Sequence, residues 1–131
     1  MASIFTKIVN GEIPAYKVAE DDKFYAFLDV NPIKSGHTLV IPKQEVDYLF
    51  SLDADTYTGL WAFAKRVSAA VERGVPCKRI GVAVIGLEVA HAHIHLVPLD
   101  NIGDLDFGAA RVKLTKDEFV SLAKEIASHF E

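Results

Sequence analysis

An α+β domain, an antiparallel sheet with helices packed on it, is the fold class this chain predicts. Two observations carry the prediction. Short apolar or alternating runs bounded by Pro, Gly, Asn and Asp read as strands, and two longer stretches repeat their apolar residues at helical spacing. The resulting order, ββ, β, α, ββ, α with short links, is that of a sheet with helices packed against it.

Ser3 can cap a short opening helix through Ile4, Phe5, Ile8 and Val9, stopped by Asn10-Gly11. Pro14 starts an extended run over residues 15–19, Glu20-Asp21-Asp22 makes a polar turn, and residues 24–30 resume as a strand, so the two form a hairpin. Asn31-Pro32 turns the chain, Gly36 introduces a third strand over 37–41, and Pro42 ends it. Residues 44–49 read as a short helix. Leu60, Phe63, Val67, Ala70 and Val71 then recur at helical spacing between residues 54 and 73, with Asp53 or Asp55 at the start and Gly74 before Val75-Pro76 at the end. Residues 79–85, with Gly81 inside, make a fourth strand and residues 89–99 a fifth. A polar loop over 101–108 leads to Thr115-Lys116-Asp117-Glu118, a capping-box pattern, and to the helical stripe Phe119, Leu122, Ile126, Phe130.

Length and composition bound the function. At 131 residues the chain reads as one domain able to bury a core. A formal net charge of −4, with only the short basic pairs Lys65-Arg66 and Lys78-Arg79, gives no nucleic-acid footprint. One cysteine, Cys77, excludes an internal disulfide framework and a Cys-rich zinc site. No apolar run approaches a membrane span, and the opening residues lack a signal-peptide core, so a reducing, cytoplasmic setting is expected.

The informative feature is His91, His93 and His95 at strict two-residue spacing, with Ala92, Ile94 and Leu96 between and after them. On a strand such residues alternate between faces, so the three imidazoles share one and the apolar residues the other. The apolar face can meet the long helix. The histidine face then floors a groove, because Phe5, Ile8, Phe27 and Val30 would otherwise lack partners. Imidazole is the side chain nearest half-protonation at neutral pH, able to attack as a base or donate as an acid. Phosphoryl or nucleotidyl transfer suits such a row: one ring attacks phosphorus and a neighbour steadies the oxygens or protonates the leaving group. Side chains two apart lie about 6.5–7 Å from each other by strand rise, close enough to share one phosphate. Three other readings compete: zinc binding with a further ligand from His37, a carboxylate or Cys77, histidines merely satisfied in the surface or core, and a pH-sensing cluster.

The run His91-Ala92-His93-Ile94-His95-Leu96-Val97 resembles the signature of the histidine triad (HIT) family, His-φ-His-φ-His-φ-φ with φ apolar. Residues 3–15, with Glu12-Ile13-Pro14, look like the family's opening helix and turn. Residues 26–32 and 36–43 look like its next two blocks, and the similarity runs in order from Ile4 to Pro98. The resemblance implies a HIT-like five-stranded antiparallel sheet with packed helices, a single domain over 1–131 with a core at 4–98, and an extension with an extra C-terminal helix over 99–131. It implies that His93 is the nucleophile toward the α-phosphorus of a nucleotide, that His95 contacts the phosphate and helps the leaving group depart, that His91 orients the site, and that His37 lies beside the phosphate. Asp29 matches the residue that binds ribose hydroxyls, and Phe5, Ile8, Phe27, Leu28 and Val30 match the purine pocket. A homodimer joining two sheets edge to edge is implied, with a purine nucleotide as substrate and neither cofactor nor metal needed. Taken alone, Phe5, Ile8 and Phe27 read as core, Asp29 as a turn former, His37 as solvent-exposed, and His129 as a favourable charge at a helix end.

Two departures matter. Where many active members carry Gly-Gln-Ser/Thr-Val, this chain has Gly86-Leu87-Glu88-Val89, so Glu88 stands where a hydroxyl touches the phosphate. A carboxylate 4 Å from a phosphate repels it by roughly 1–4 kcal/mol. Glu88 can instead turn away, pair with a histidine and hold it protonated, or favour a cationic leaving group. The chain also continues some thirty residues past Pro98, through Asp104, Asp106 and Arg111, to a helix expected to cover the site mouth or build the dimer contact. The reading drawn from all this is a nucleotidyl hydrolase or transferase. The alternatives are a purine-nucleotide-binding module with little turnover, motivated by Leu87 and Glu88, and a metal-dependent hydrolase.

Overall fold

The computed structural model describes residues 2–131. Its elements are α1 (Ile4–Val9), β1 (Lys17–Glu20), β2 (Phe24–Leu28), β3 (Thr38–Pro42), α2 (Ala54–Gly74), β4 (Arg79–Ala83), β5 (Ile94–Leu99) and α3 (Lys116–Ser128). The strands form a five-stranded antiparallel sheet in the order β1-β2-β3-β5-β4, so β5 enters between β3 and β4 and leaves β4 at an edge. The architecture is α+β, as the element pattern predicts. Among the described residues no helix is long and apolar enough to cross a membrane.

Every residue of β2 and β3 is buried, which requires cover on both faces of the sheet. Phe24, Ala26, Leu28 and Val40 point into a large core shared with Leu60, Phe63, Val67 and Val71 of α2 and with Phe119, Ala123 and Ile126 of α3. Tyr25, Phe27, Leu39 and Ile41 point the other way, into a smaller cluster closed by Phe5 and Ile8 of α1. The period-2 alternation of a strand sets this division. Asp53 caps α2 by accepting the Thr56 N–H, and Thr115 and Glu118 close the capping box of α3. Gly36 is needed twice over: its φ is +95°, and a Cβ there would stand 2.8 Å from Val75 Cγ2.

Three expectations are corrected. Residues 44–49 are not a helix; only a 3-10 turn, Leu49–Ser51, forms there. Instead Val46 O accepts the Ala92 N–H at 2.7 Å and Glu45 accepts the Ser3 N–H at 2.6 Å, contacts that hold this segment against the triad. The fifth strand spans Ile94–Leu99, not 89–99, so only His95 of the triad sits in the ladder. The reason is Pro42: the β3–β5 register pairs Val40 with Ile94, and two residues on Pro42 has no N–H to give. The C-terminal helix does not cover the site mouth. It packs on α2 and β1, with Phe119 stacked on Tyr16 at 4.8 Å between ring centroids, so its apolar stripe is satisfied on the face away from the histidines.

The Phe63 ring lies between α2 and the sheet with 2% of its surface exposed. Phe63→Ala should cost about 3–5 kcal/mol, read as a lowered urea midpoint with an unchanged slope.

Candidate active site

The strand alternation survives where the ladder does not. Ala92, Ile94 and Leu96 enter the large core, while His91 and His93 flank the Phe5 ring at 5.7 and 5.1 Å on the opposite face. His93 and His95 stand edge to face with centroids 4.9 Å apart, closer than the strand rise alone would set them. All three, and His37, are buried.

Buried imidazoles need partners, and the partners fix where each proton sits. His91 Nε2–H donates to Pro42 O at 2.8 Å, so its Nδ1 accepts, taking the Ser3 Oγ–H at 2.8 Å. Ser3 Oγ also accepts the Thr6 N–H at 3.0 Å, so one hydroxyl caps α1 and orients His91. His93 Nδ1–H donates to the His91 carbonyl at 2.7 Å, which in the neutral ring leaves Nε2 with its lone pair. His37 Nδ1 accepts the Ile33 N–H at 3.2 Å, so Nε2–H donates to His95 Nδ1 at 2.9 Å. His95 is thereby left with Nε2–H as its free donor. A bare nitrogen on His93 thus neighbours an N–H donor on His95.

These two rings open on a cavity of about 430 Å³. Phe5, Ile8, Phe27, Leu28 and Val30 line it, with Asp29 and Glu88 supplying carboxylates. The core reading of Phe5, Ile8 and Phe27 also holds: one side of each packs in the small cluster. Asp29 is a turn former that also lines the cavity. Its Oδ1 accepts the Asn31 N–H at 2.8 Å in the turn, and its Oδ2 lies 3.6 Å from His37 Nε2. His91 and His37 do not line the cavity. His91 lies behind Phe5, and His37, far from exposed, is 1% accessible behind His95.

Glu88 is exposed at the cavity. Among the described residues the carboxylates within 4.0 Å of a histidine nitrogen are Asp29 at His37 and Glu125 at His129, so Glu88 pairs with no histidine. Asp29, His37 and His95 offer three ligand atoms within 4.8 Å of one another, and a metal there would displace the bond between the two rings.

Burial pushes the His37 pKa down to about 4, against the opposing pull of Asp29 and with help from the charges of Arg111 and His93. His95 is pushed down to about 3 by burial first, then by His93, His37 and Arg111. His91 is lowered mainly by burial, its bond to Pro42 working the other way. His37 and His95 are therefore neutral at pH 7, in accord with the proton positions above.

Among the cavity residues that the sequence reading did not place in the site are Phe107, edge to face with His95 at 4.8 Å, and Arg111. Both lie in the loop ahead of α3. A lone aromatic and a lone arginine among Gly, Asp and Ala were the available signal.

Unfolded histidine titrates near 6.5, above both lowered values. As pH falls below 6.5 the unfolded chain takes up protons the folded chain refuses, so stability is full above 6.5 and is lost progressively toward 4 and then 3. The urea midpoint should fall between pH 6.5 and 4.5, and His37→Asn should make that fall shallower. Equal slopes in the two proteins would contradict the assignment.

A family model for the HIT domain matches residues 10–102. An uncharacterized HIT-like protein of Borreliella burgdorferi is 38% identical, covering 95% of each chain. The adenosine 5′-monophosphoramidase of Saccharomyces cerevisiae is 33% identical over 99% of this chain and 84% of its own. Among solved structures, a HIT-like protein from Bartonella henselae superposes with a TM-score of 0.84 at 28% identity, covering 98% of this chain and 96% of its own. A zinc-bound histidine triad protein from Mycobacterium smegmatis gives 0.83 at 29%, covering 98% and 93%. The ordered motifs, the sheet and the buried imidazoles are those of a shared family: the chain is a member of the histidine triad (HIT) family.

Proposed function

We propose that this protein hydrolyses a nucleoside phosphoramidate, or a related nucleotidyl substrate, through a nucleotidyl-histidine intermediate. The observation that carries the proposal is the pairing of a bare nitrogen on His93 with a free N–H on His95 at the end of an apolar cavity. The printed activity of the yeast relative, a monophosphoramidase, points the same way.

The base lies among Phe5, Ile8, Phe27, Leu28 and Val30, and the ribose hydroxyls donate to Asp29. His93 Nε2 attacks the α-phosphorus and the bond to the leaving group breaks. The leaving atom takes a proton from His95 Nε2. That ring can give it because the entering phosphate's negative charge opposes the effect of burial and lets the His37–His95 pair take up one proton beyond the two of its neutral form. Water then attacks phosphorus, the P–Nε2 bond breaks, His95 takes back a proton, and the nucleoside monophosphate leaves. No metal is required, since the imidazoles supply the positive charge.

We assign the 99–131 extension to the same domain, since α3 shares the main core. A homodimer through β4 fits the edge strand: Val82, Val84 and Ile85 are exposed on or beside it and Leu87 is 88% exposed. Sedimentation should then give twice 14.4 kDa. A cytoplasmic setting accords with the free thiol of Cys77.

The second reading, a nucleotide-binding module with little turnover, draws on Glu88 standing in the cavity. Incubation with an adenosine phosphoramidate decides between them. AMP should be released, and His93→Ala should lower the rate at least a thousandfold while still binding AMP by calorimetry. AMP binding without turnover in the unmutated protein would select the module.

A further inference from the structure

The polar bonds that tie α1 to the rest of the chain converge on one place. Among the described residues, the hydrogen bonds that leave residues 3–9 for distant parts of the chain end on Glu45 and His91. Glu45 Oε1 accepts the Ser3 N–H and the Thr6 Oγ1–H, each at 2.6 Å. Those bonds, the Ser3 N–H foremost, hold the Glu45 carboxyl below the usual carboxylate range, so at pH 7 it is ionised and can only accept. Thr6 has one hydroxyl hydrogen and gives it to Glu45. The Ser3 hydroxyl hydrogen then goes to His91 Nδ1 at 2.8 Å, closer than Thr6 Oγ1 at 3.3 Å.

The backbone beside Glu45 grips the triad as well. Pro42 O takes the His91 Nε2–H, and Val46 O takes the Ala92 N–H at 2.7 Å. Residues 42–46 therefore hold both α1 and the lead-in to β5. The Phe5 ring stands between the two, 5.1 Å from His93, 5.7 Å from His91 and 5.4 Å from Phe27. Apart from these bonds α1 is fastened by Phe5 and Ile8 in the small cluster. A helix of 6 residues is not stable by itself, so the place of its first turn depends on the Glu45 clasp.

We propose that Glu45 is a positioning residue for the nucleophile: through Ser3 and Thr6 it holds the first turn of α1 on His91, and so fixes where His93 Nε2 points. This rests on the hydrolase reading, in which that nitrogen attacks phosphorus. Glu45 does not line the cavity and acts only through its neighbours. Without its carboxylate the Ser3 hydroxyl is free to leave His91 Nδ1, and the His91 ring keeps only its bond to Pro42 O. The His91 carbonyl, which takes the His93 Nδ1–H, moves with that ring. A misplacement of about 1 Å at a reacting atom costs about a hundredfold in rate.

Glu45 is exposed, so Glu45→Ala opens no hole in the core. The test measures kcat for AMP release from adenosine 5′-phosphoramidate, the calorimetric Kd of AMP, and the His91 ring-nitrogen resonances by NMR. Glu45→Ala should lower kcat at least tenfold, keep the Kd of AMP within about threefold and move the His91 Nδ1 resonance. Glu45→Gln, whose amide oxygen can accept both bonds, should bring kcat back to within about threefold of the unmutated protein. The double variant with Ser3→Ala should be no slower than Ser3→Ala alone to within about twofold, because Glu45 acts through that hydroxyl. Losses that multiply in the double variant, a kcat that Glu45→Ala leaves unmoved, or an affinity that falls as far as the rate would overturn the assignment. The last of these would make Glu45 a support of the cavity wall alone. Failure of the unmutated protein to release AMP would instead sink the hydrolase reading, and this one with it.

Discussion

The backbone N–H of Ile33, donating to His37 Nδ1, sets the proton positions of two rings in succession, because each neutral imidazole has one donor and one acceptor. His37 must then donate to His95, and His95 must face its free side as a donor. A second line runs from Ser3 through His91, whose own carbonyl takes the His93 Nδ1–H. The two lines meet where His93 and His95 stand 4.9 Å apart, one ending in a lone pair and the other in a hydrogen. Chemical difference between like residues is produced here by backbone groups, which cannot titrate.

That arrangement depends on dryness. A water-exposed histidine pair would keep ordinary basicity and exchange its partners with solvent. The sheet excludes water because both its faces are covered, by α2 and α3 on one side and by α1 on the other. The small cluster beneath α1 is accordingly two things: a hydrophobic seal for the imidazoles and the apolar wall of the cavity. Asp29 is similarly divided, one oxygen shaping the turn and the other near His37.

Much of this was legible in the sequence because the signals were local. The Ser3 and Thr115 caps, the α2 stripe and the alternation of imidazoles with Ala92, Ile94 and Leu96 are set within a few residues of the chain. What was not legible depended on distant partners. Residues 44–48 lose helix because Val46 and Glu45 find Ala92, Ser3 and Thr6 far along the chain. The end of β5 is decided by a proline on another strand. Arg111 enters the cavity because its loop docks on Asn31 and Pro32, some eighty residues earlier. His37, which taken alone reads as solvent-exposed beside Gly36, is buried because its strand lies against β5.

The proline that stops the ladder also divides the mechanical character of the reactive centre. His95 sits on a rung between two neighbouring strands, paired with Leu39 on one side and Ala83 on the other. His93 lies on the lead-in, two residues before that and outside the hydrogen-bonded rungs. One ring is therefore held by the rungs of two strands and the other by bonds outside the sheet, from Ala92 to Val46 and from His91 to Pro42, so the two reacting groups are anchored by separate parts of the chain.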